Sequence, residues 1–338
     1  MSEALKTAGS RSRSFGLSTW QKVVIRLTIG VGVTAFLIVR SDTASISEAL
    51  ASADPLGIAT AIAMNLALLI VSAFRWRVFL QALHVDVSVA TTVKLTFVGS
   101  FFNAFLPTGV GGDAYKAVRI RTPTTRLSTS FASVLLDRIV GVGLLAGIGV
   151  VVAGAGLVLG TGTPLTVTTL ALATGVLGAA TILLLWGPRL IGTGRRHWLG
   201  LRPRLRATLD QVVLASRTRT TVSRSLSLGS ACQALGIAAQ ASLASALDLD
   251  IPLDVITLAF LTTTIASAIP ITINGLGVRE AVLVWGLAFY AVPAARALAY
   301  SLLILGVALV TSAAGGIVYA LAGGETGGRR AGIRVREL

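Results

Sequence analysis

The segment from Pro270 to Glu280 places a helix breaker, the flexible pair Gly275 and Gly277, and the adjacent charges Arg279 and Glu280 inside an otherwise apolar stretch. In a hydrocarbon surround each charge costs roughly 2.5 to 3.5 kcal/mol, and a broken backbone leaves amides that lipid cannot satisfy. A chain carrying such a segment must wrap it in protein or line a wet cavity with it. A second segment of the same kind lies at residues 103 to 116, where Pro107, Gly109, Gly111 and Gly112 precede Asp113 and Lys116.

The surround is apolar enough for that argument to hold. Hydrophobic residues make up 54% of the 338-residue chain, and its mean hydropathy is +0.82, above what a soluble domain of this length carries. The runs 22–39, 56–74, 129–157, 165–186, 226–247 and 297–322 are each long enough to cross a core of roughly 30 Å as helices. None alternates with period two, which excludes barrel strands.

The formal charge of +15 raises nucleic acid as a partner, but the cations fall between the apolar runs, as positive-inside bias requires. Arg11, Arg13, Lys22 and Arg26 precede the first run. Arg75 and Arg77 follow the second, and Lys116, Arg119, Arg121 and Arg126 precede the third. These clusters are expected in the cytoplasm, together with the tail bearing Arg329, Arg330, Arg334 and Arg336. The loops Ser41 to Pro55 and Asp248 to Asp254 carry acids and no Lys or Arg, and are expected outside. Ala51-Ser52-Ala53 resembles a cleavage site, but Arg40 and acidic residues separate it from the first run, so that run is expected to stay as a helix. The expected location is the inner (plasma) membrane, multi-pass, with both termini cytoplasmic.

Consistent sidedness then requires residues 93–115 and 255–291 to enter and leave on one face each. The predicted architecture is an all-α polytopic membrane protein, an inverted repeat of helix, helix, re-entrant hairpin and helix, with about six full spans plus two re-entrant hairpins. Its parts are a tail (1–21), repeat one (22–160, hairpin 93–115), repeat two (161–322, Arg-rich cytoplasmic loop 188–225, hairpin 255–291) and a basic tail (323–338). In the loop, nine Arg face only Asp210. Leu205, Leu209, Val212 and Val213 recur at helical spacing, predicting an amphipathic helix on anionic inner-leaflet lipid.

Helices restarting after Gly111 and Gly277 would present N-termini to an anion, with Lys116, Arg119 and Arg279 nearby. Asp113 and Glu280 open those helices, as caps, ion-pair partners or protonatable groups. Asp137 and Arg138 diverge on one helix and need separate partners; Lys116 or Arg279 is the expected partner of Asp137. Asn103 and Asn274 flank the breaks and would satisfy freed backbone or touch substrate. Gln233 and Gln240 are expected to join helices. Cys232 reads as a buried core residue, and His84 and His197 have no partners at ligand spacing, so no metal is expected. No P-loop and no Ser-His-Asp set occurs, so no cofactor is expected.

Gly99-Ser100-Phe101-Phe102-Asn103 through Leu106-Pro107 to Gly111-Gly112-Asp113, then Leu136-Asp137-Arg138-Ile139, then Ile269-Pro270 through Asn274-Gly275-Leu276-Gly277-Val278-Arg279-Glu280 resemble the membrane domain of the lysylphosphatidylglycerol synthase/flippase family. The resemblance runs from about Trp76 to Ala322 and implies lipid translocation, with aminoacylated phosphatidylglycerol or polyprenyl-phosphate sugars among the family's lipids. No aminoacyl-transferase domain follows the last helix in this sequence, so synthesis is not expected. The expected substrate is an anionic phospholipid or polyprenyl-phosphate lipid, bound by Asn103, Asp113, Lys116, Arg119, Asp137, Arg138, Asn274, Gly275, Gly277, Arg279 and Glu280. A membrane-embedded transferase and an accessory subunit of a cell-envelope glycosyltransferase are the alternatives. Self-association or an envelope-synthesis partner is left open, and nucleic acid is not expected.

Overall fold

A computed structural model describes residues 19–106, 111–120, 127–193, 208, 211–212, 218–268, 272, 275–322 and 334–335. The described residues form the helices α1 (Thr19–Arg40), α2 (Thr43–Ala51), α3 (Pro55–Ala82), α4 (Val89–Phe105), α5 (Gly111–Arg119) and α6 (Leu127–Val158). They continue as α7 (Pro164–Thr193), α8 (Arg219–Ala246), α9 (Leu253–Ala268), α10 (Val278–Ala288) and α11 (Ala294–Leu321). Four of these, α3, α6, α7 and α11, are long and apolar enough to cross a bilayer, and a fifth span results if α1 and α2 count as one. Helix α8 covers the remaining predicted run, but Arg219, Arg224 and a row of serines dilute its apolar character.

One predicted loop is a helix. Between the first two runs, Asp42 accepts a hydrogen bond from the Ala44 N–H (3.0 Å) and starts α2, which leaves α1 at a bend of 95°. Asp54 caps α3 in the same way, accepting from Leu56 and Gly57, with Pro55 at the first helical position.

Helices α3 and α8 form the antiparallel centre. The Ser242 hydroxyl donates to the Gly57 carbonyl (2.9 Å) near one end, and Arg75 lies beside Gly229 near the other. Around this pair sit two larger apolar clusters. One gathers Ala61, Leu243, Leu283 and Leu298; the other gathers Trp76, Phe79, Leu80, Ile120 and Leu136. Arg75 of α3 and Asp137 of α6 adjoin Trp76 and Leu136 of the second cluster. Outward-facing apolar residues such as Val39, Val151 and Leu321 are exposed, as a lipid surround allows.

Two short strands complete the chain, β1 (Val85–Asp86) and β2 (Arg334–Val335), paired antiparallel. They tie the C-terminal tail to the turn after α3, so both lie on one side of the helix bundle. Most of the Arg-rich loop, including Leu205, Leu209, Asp210 and Val213, lies outside the described residues. Val212 is fully buried in the cluster around Trp76, so this position faces protein where a lipid-facing stripe was expected.

Candidate functional site

The first hairpin is α4 and α5. Its sharp return depends on a contact that only glycine permits: a Cβ on Gly112 would lie 1.8 Å from the Gly99 carbonyl oxygen. Asn103 completes the joint by accepting the Gly112 N–H (2.8 Å), one of the donors a helix start leaves free. That assigns Asn103 to the backbone role, and it also lines the chamber described next. With α5 folded back on α4, Lys116 is brought inside, 7% exposed, its ammonium 5.2 Å from the Trp76 ring centre.

Lys116 opens into a chamber of about 380 Å³ walled by the middle of α3, α4, α6 and α8, with Phe260 and Thr264 of α9. Asp137 and Arg138, adjacent on α6, diverge as expected, but their partners differ from the expectation. Asp137 pairs with Arg75 (2.7 Å), both side chains under a tenth exposed, in place of Lys116 or Arg279. Helix α3 continues past Arg75 to Ala82, burying Trp76, Phe79 and Leu80 beyond it, so Arg75 lies inside the packed bundle and not at its end. Arg138 grips Asp113 through two bonds, 2.8 and 3.0 Å. Asp113 accordingly works as an ion-pair partner across α5 and α6, beyond any capping of its own helix. Gln233 donates to the Gly141 carbonyl (2.8 Å) and Gln240 accepts from Tyr300 (3.1 Å), the helix-joining roles expected of both.

The chamber's ionic balance is uneven. Its two carboxylates are each held by an arginine, while Lys116 has no carboxylate within ion-pair distance among the described residues. Among the described residues the three cations lining the chamber thus meet Asp137 and, behind Arg138, Asp113, in a setting where an unmatched charge is costly unless a counter-ion arrives.

The second hairpin is α9 and α10, and it is closed. Gly275 and Gly277 take positive φ (71° and 84°), and a Cβ on Gly277 would meet the Gly30 carbonyl of α1 at 2.8 Å. Glu280 is fully buried and accepts from the Gly277 N–H (2.6 Å) and the Ser301 hydroxyl (3.0 Å), while its neighbour Arg279 pairs with it and also bonds Ser301 (3.1 Å). Adjacent residues meet here because they occupy a first helical turn and share a partner on α11. Arg279, Glu280, Gly275 and Gly277 do not line the chamber, and neither does Arg119, which lies over the Tyr115 ring. Asn274, Pro107 and Pro270 lie outside the described residues.

Of the expected site residues, the structure thus gathers Asn103, Lys116, Asp137 and Arg138 around one cavity, with Asp113 behind Arg138. Arg75 is the residue that sequence reasoning missed. Apolar residues continuing on both sides of it were the available signal. Among the described residues no three His, Cys, Asp or Glu side chains converge as metal ligands would.

The family model described as the lysylphosphatidylglycerol synthase TM region matches residues 23–316. No curated protein matches the chain.

Proposed function

This chain belongs to the lysylphosphatidylglycerol synthase TM region family, and from that premise we propose that it is a lipid translocator moving an anionic phospholipid or a polyprenyl-phosphate lipid between leaflets. The family makes a role in membrane lipid handling the starting point. The observation that carries the finer reading is the chamber itself. It is lined by Arg75, Lys116, Asp137 and Arg138, and among the described residues it leaves the buried Lys116 with no carboxylate at ion-pair distance. Intramembrane charges that face a cavity mark substrate paths more often than packing devices. With no nucleotide motif among its residues, movement is downhill or coupled to an ion gradient, and no covalent chemistry on the lipid is proposed.

An inverted repeat would supply the alternating access. Packing supports it: if α3 exchanges with α8, α4 with α9, α5 with α10 and α6 with α11, neighbours map onto neighbours. Helix α4 packs on α11 as α9 packs on α6; α5 packs on α6 as α10 packs on α11; the pair α3 and α8 maps onto itself. Counting α8 and the bent pair α1 and α2 with the four apolar helices would make six spans. The β1 and β2 pairing puts the tail on the side of the Arg77 end of α3, and positive-inside bias makes that side cytoplasmic. The Arg-rich loop would then meet anionic inner-leaflet lipid.

Purified protein in liposomes carrying fluorescent phosphatidylglycerol in the inner leaflet tests the proposal. Wild type is expected to deliver unmodified lipid to the outer leaflet, and Lys116→Gln with Arg138→Gln to abolish delivery while the protein still purifies as a folded species. Absence of movement by wild type, or a chemically altered lipid, overturns it in favour of the accessory or transferase alternative.

A further inference from the structure

The state of the two carboxylates says which headgroup the chamber can hold. Asp113 has both oxygens engaged by Arg138, and Asp137 is bonded to the Arg75 Nε. Each carboxylate's charge is already matched by an arginine, so an added ammonium would find no unmatched anion among the described residues. The group left over is Lys116, a cation held against an aromatic ring, with no carboxylate of its own among the described residues. One added negative charge balances the set; a headgroup of zero or positive charge leaves the excess, and a dianion reverses it.

The neighbouring cavity identifies what the charged group is attached to. On α6, Ile139, Gly143, Gly147 and Val151 line one wall of an apolar groove of about 690 Å³, closed on the other side by Leu177 and Ala180 of α7 and open outward. Thr181 also borders it, but its hydroxyl is turned back to the Leu177 carbonyl (2.8 Å), so it presents a methyl surface. The groove and the chamber occupy adjoining arcs of the same helix, since Arg138, Gly141 and Val142 line one while Ile139, Val140 and Gly143 line the other. A free phosphate would use only the chamber; a lipid would use both.

Resting on the translocation reading above, we infer that the substrate is a phosphodiester lipid of single negative charge without an attached ammonium, its phosphate contacted by Lys116 and one hydrocarbon chain laid between α6 and α7. Aminoacylated phosphatidylglycerol is thereby disfavoured for this chain, because its cation would cancel the charge of its phosphate and leave Lys116 uncompensated among the described residues.

Protein in phosphatidylcholine nanodiscs doped with phosphatidylglycerol, lysylphosphatidylglycerol or phosphatidic acid, with retained lipid counted by native mass spectrometry, tests this directly. Phosphatidylglycerol is expected to be retained about tenfold or more over the other two, and Lys116→Gln to weaken it by about 10- to 100-fold, the scale of one charge-assisted contact. Gly147→Leu fills the groove without meeting any atom within 4 Å of its Cβ, so the fold should hold. It is expected to lower phosphatidylglycerol retention and leave binding of water-soluble glycerophosphoglycerol unchanged. Equal retention of the lysyl lipid, indifference to Lys116→Gln, or glycerophosphoglycerol binding as tight as the lipid overturns the inference. Selective retention without any leaflet exchange would remove the transport reading and leave this one standing.

Discussion

The two hairpins solve the same problem, charge within apolar sequence, in opposite ways. In the second, Arg279 and Glu280 answer each other and share Ser301, and the backbone break is bound by Glu280 itself. In the first, the charges are spread over α3, α5 and α6 and paired across helices, and among the described residues Lys116 has no carboxylate at ion-pair distance. A closed set stabilises a turn; an open one invites a ligand. The same residue types at similar breaks therefore form a closed set in the second hairpin and, on the proposed reading, a binding site at the first.

Removing Glu280 breaks that contrast most severely. Glu280→Ala leaves a buried guanidinium and a buried amide unmatched, and about 3 to 5 kcal/mol of stability is expected to go, visible as a lower Tm in detergent with or without added phosphatidylglycerol. Gly112→Ala comes next. Its methyl must displace the Gly99 carbonyl, an overpacking cost of about 1 to 3 kcal/mol, and lipid retention should fall with it because Lys116 is positioned by that crossing. Arg138→Gln should have the smallest effect on stability, since its side chain is 53% exposed where Glu280 is fully buried, while still cutting transport. A Tm loss as large as that of Glu280→Ala would make the chamber a structural network like the second hairpin, and the comparison would fail.

Much of this was legible in the sequence, for identifiable reasons. Helices fall on all six apolar runs because burial in lipid and helical hydrogen bonding leave little choice. Lys116, Asp137 and Arg138 were visible as charges where charge is costly. Arg75 was not, because a cation at the end of the run 56–74 reads as an edge marker until Trp76, Phe79 and Leu80 are seen to bury beyond it. Helix α2 was read as loop because its nine residues are short and bounded by acids, and only the cap at Asp42 shows why it winds. Glu280 was found but its role was not: Ser301 lies 21 positions away on α11, and no local pattern joins them.

Adjacency of Arg279 and Glu280 also has an electrical meaning. Cation and anion ride on one short helix, so any displacement of α10 moves them together and carries no net charge through the membrane field. A lone elementary charge would exchange about 2.3 kcal/mol with each 100 mV crossed. Helix α10 can shift under a resting potential without being held by it, whereas sliding α5 past α6 would part Asp113 from Arg138 and feel the voltage at once.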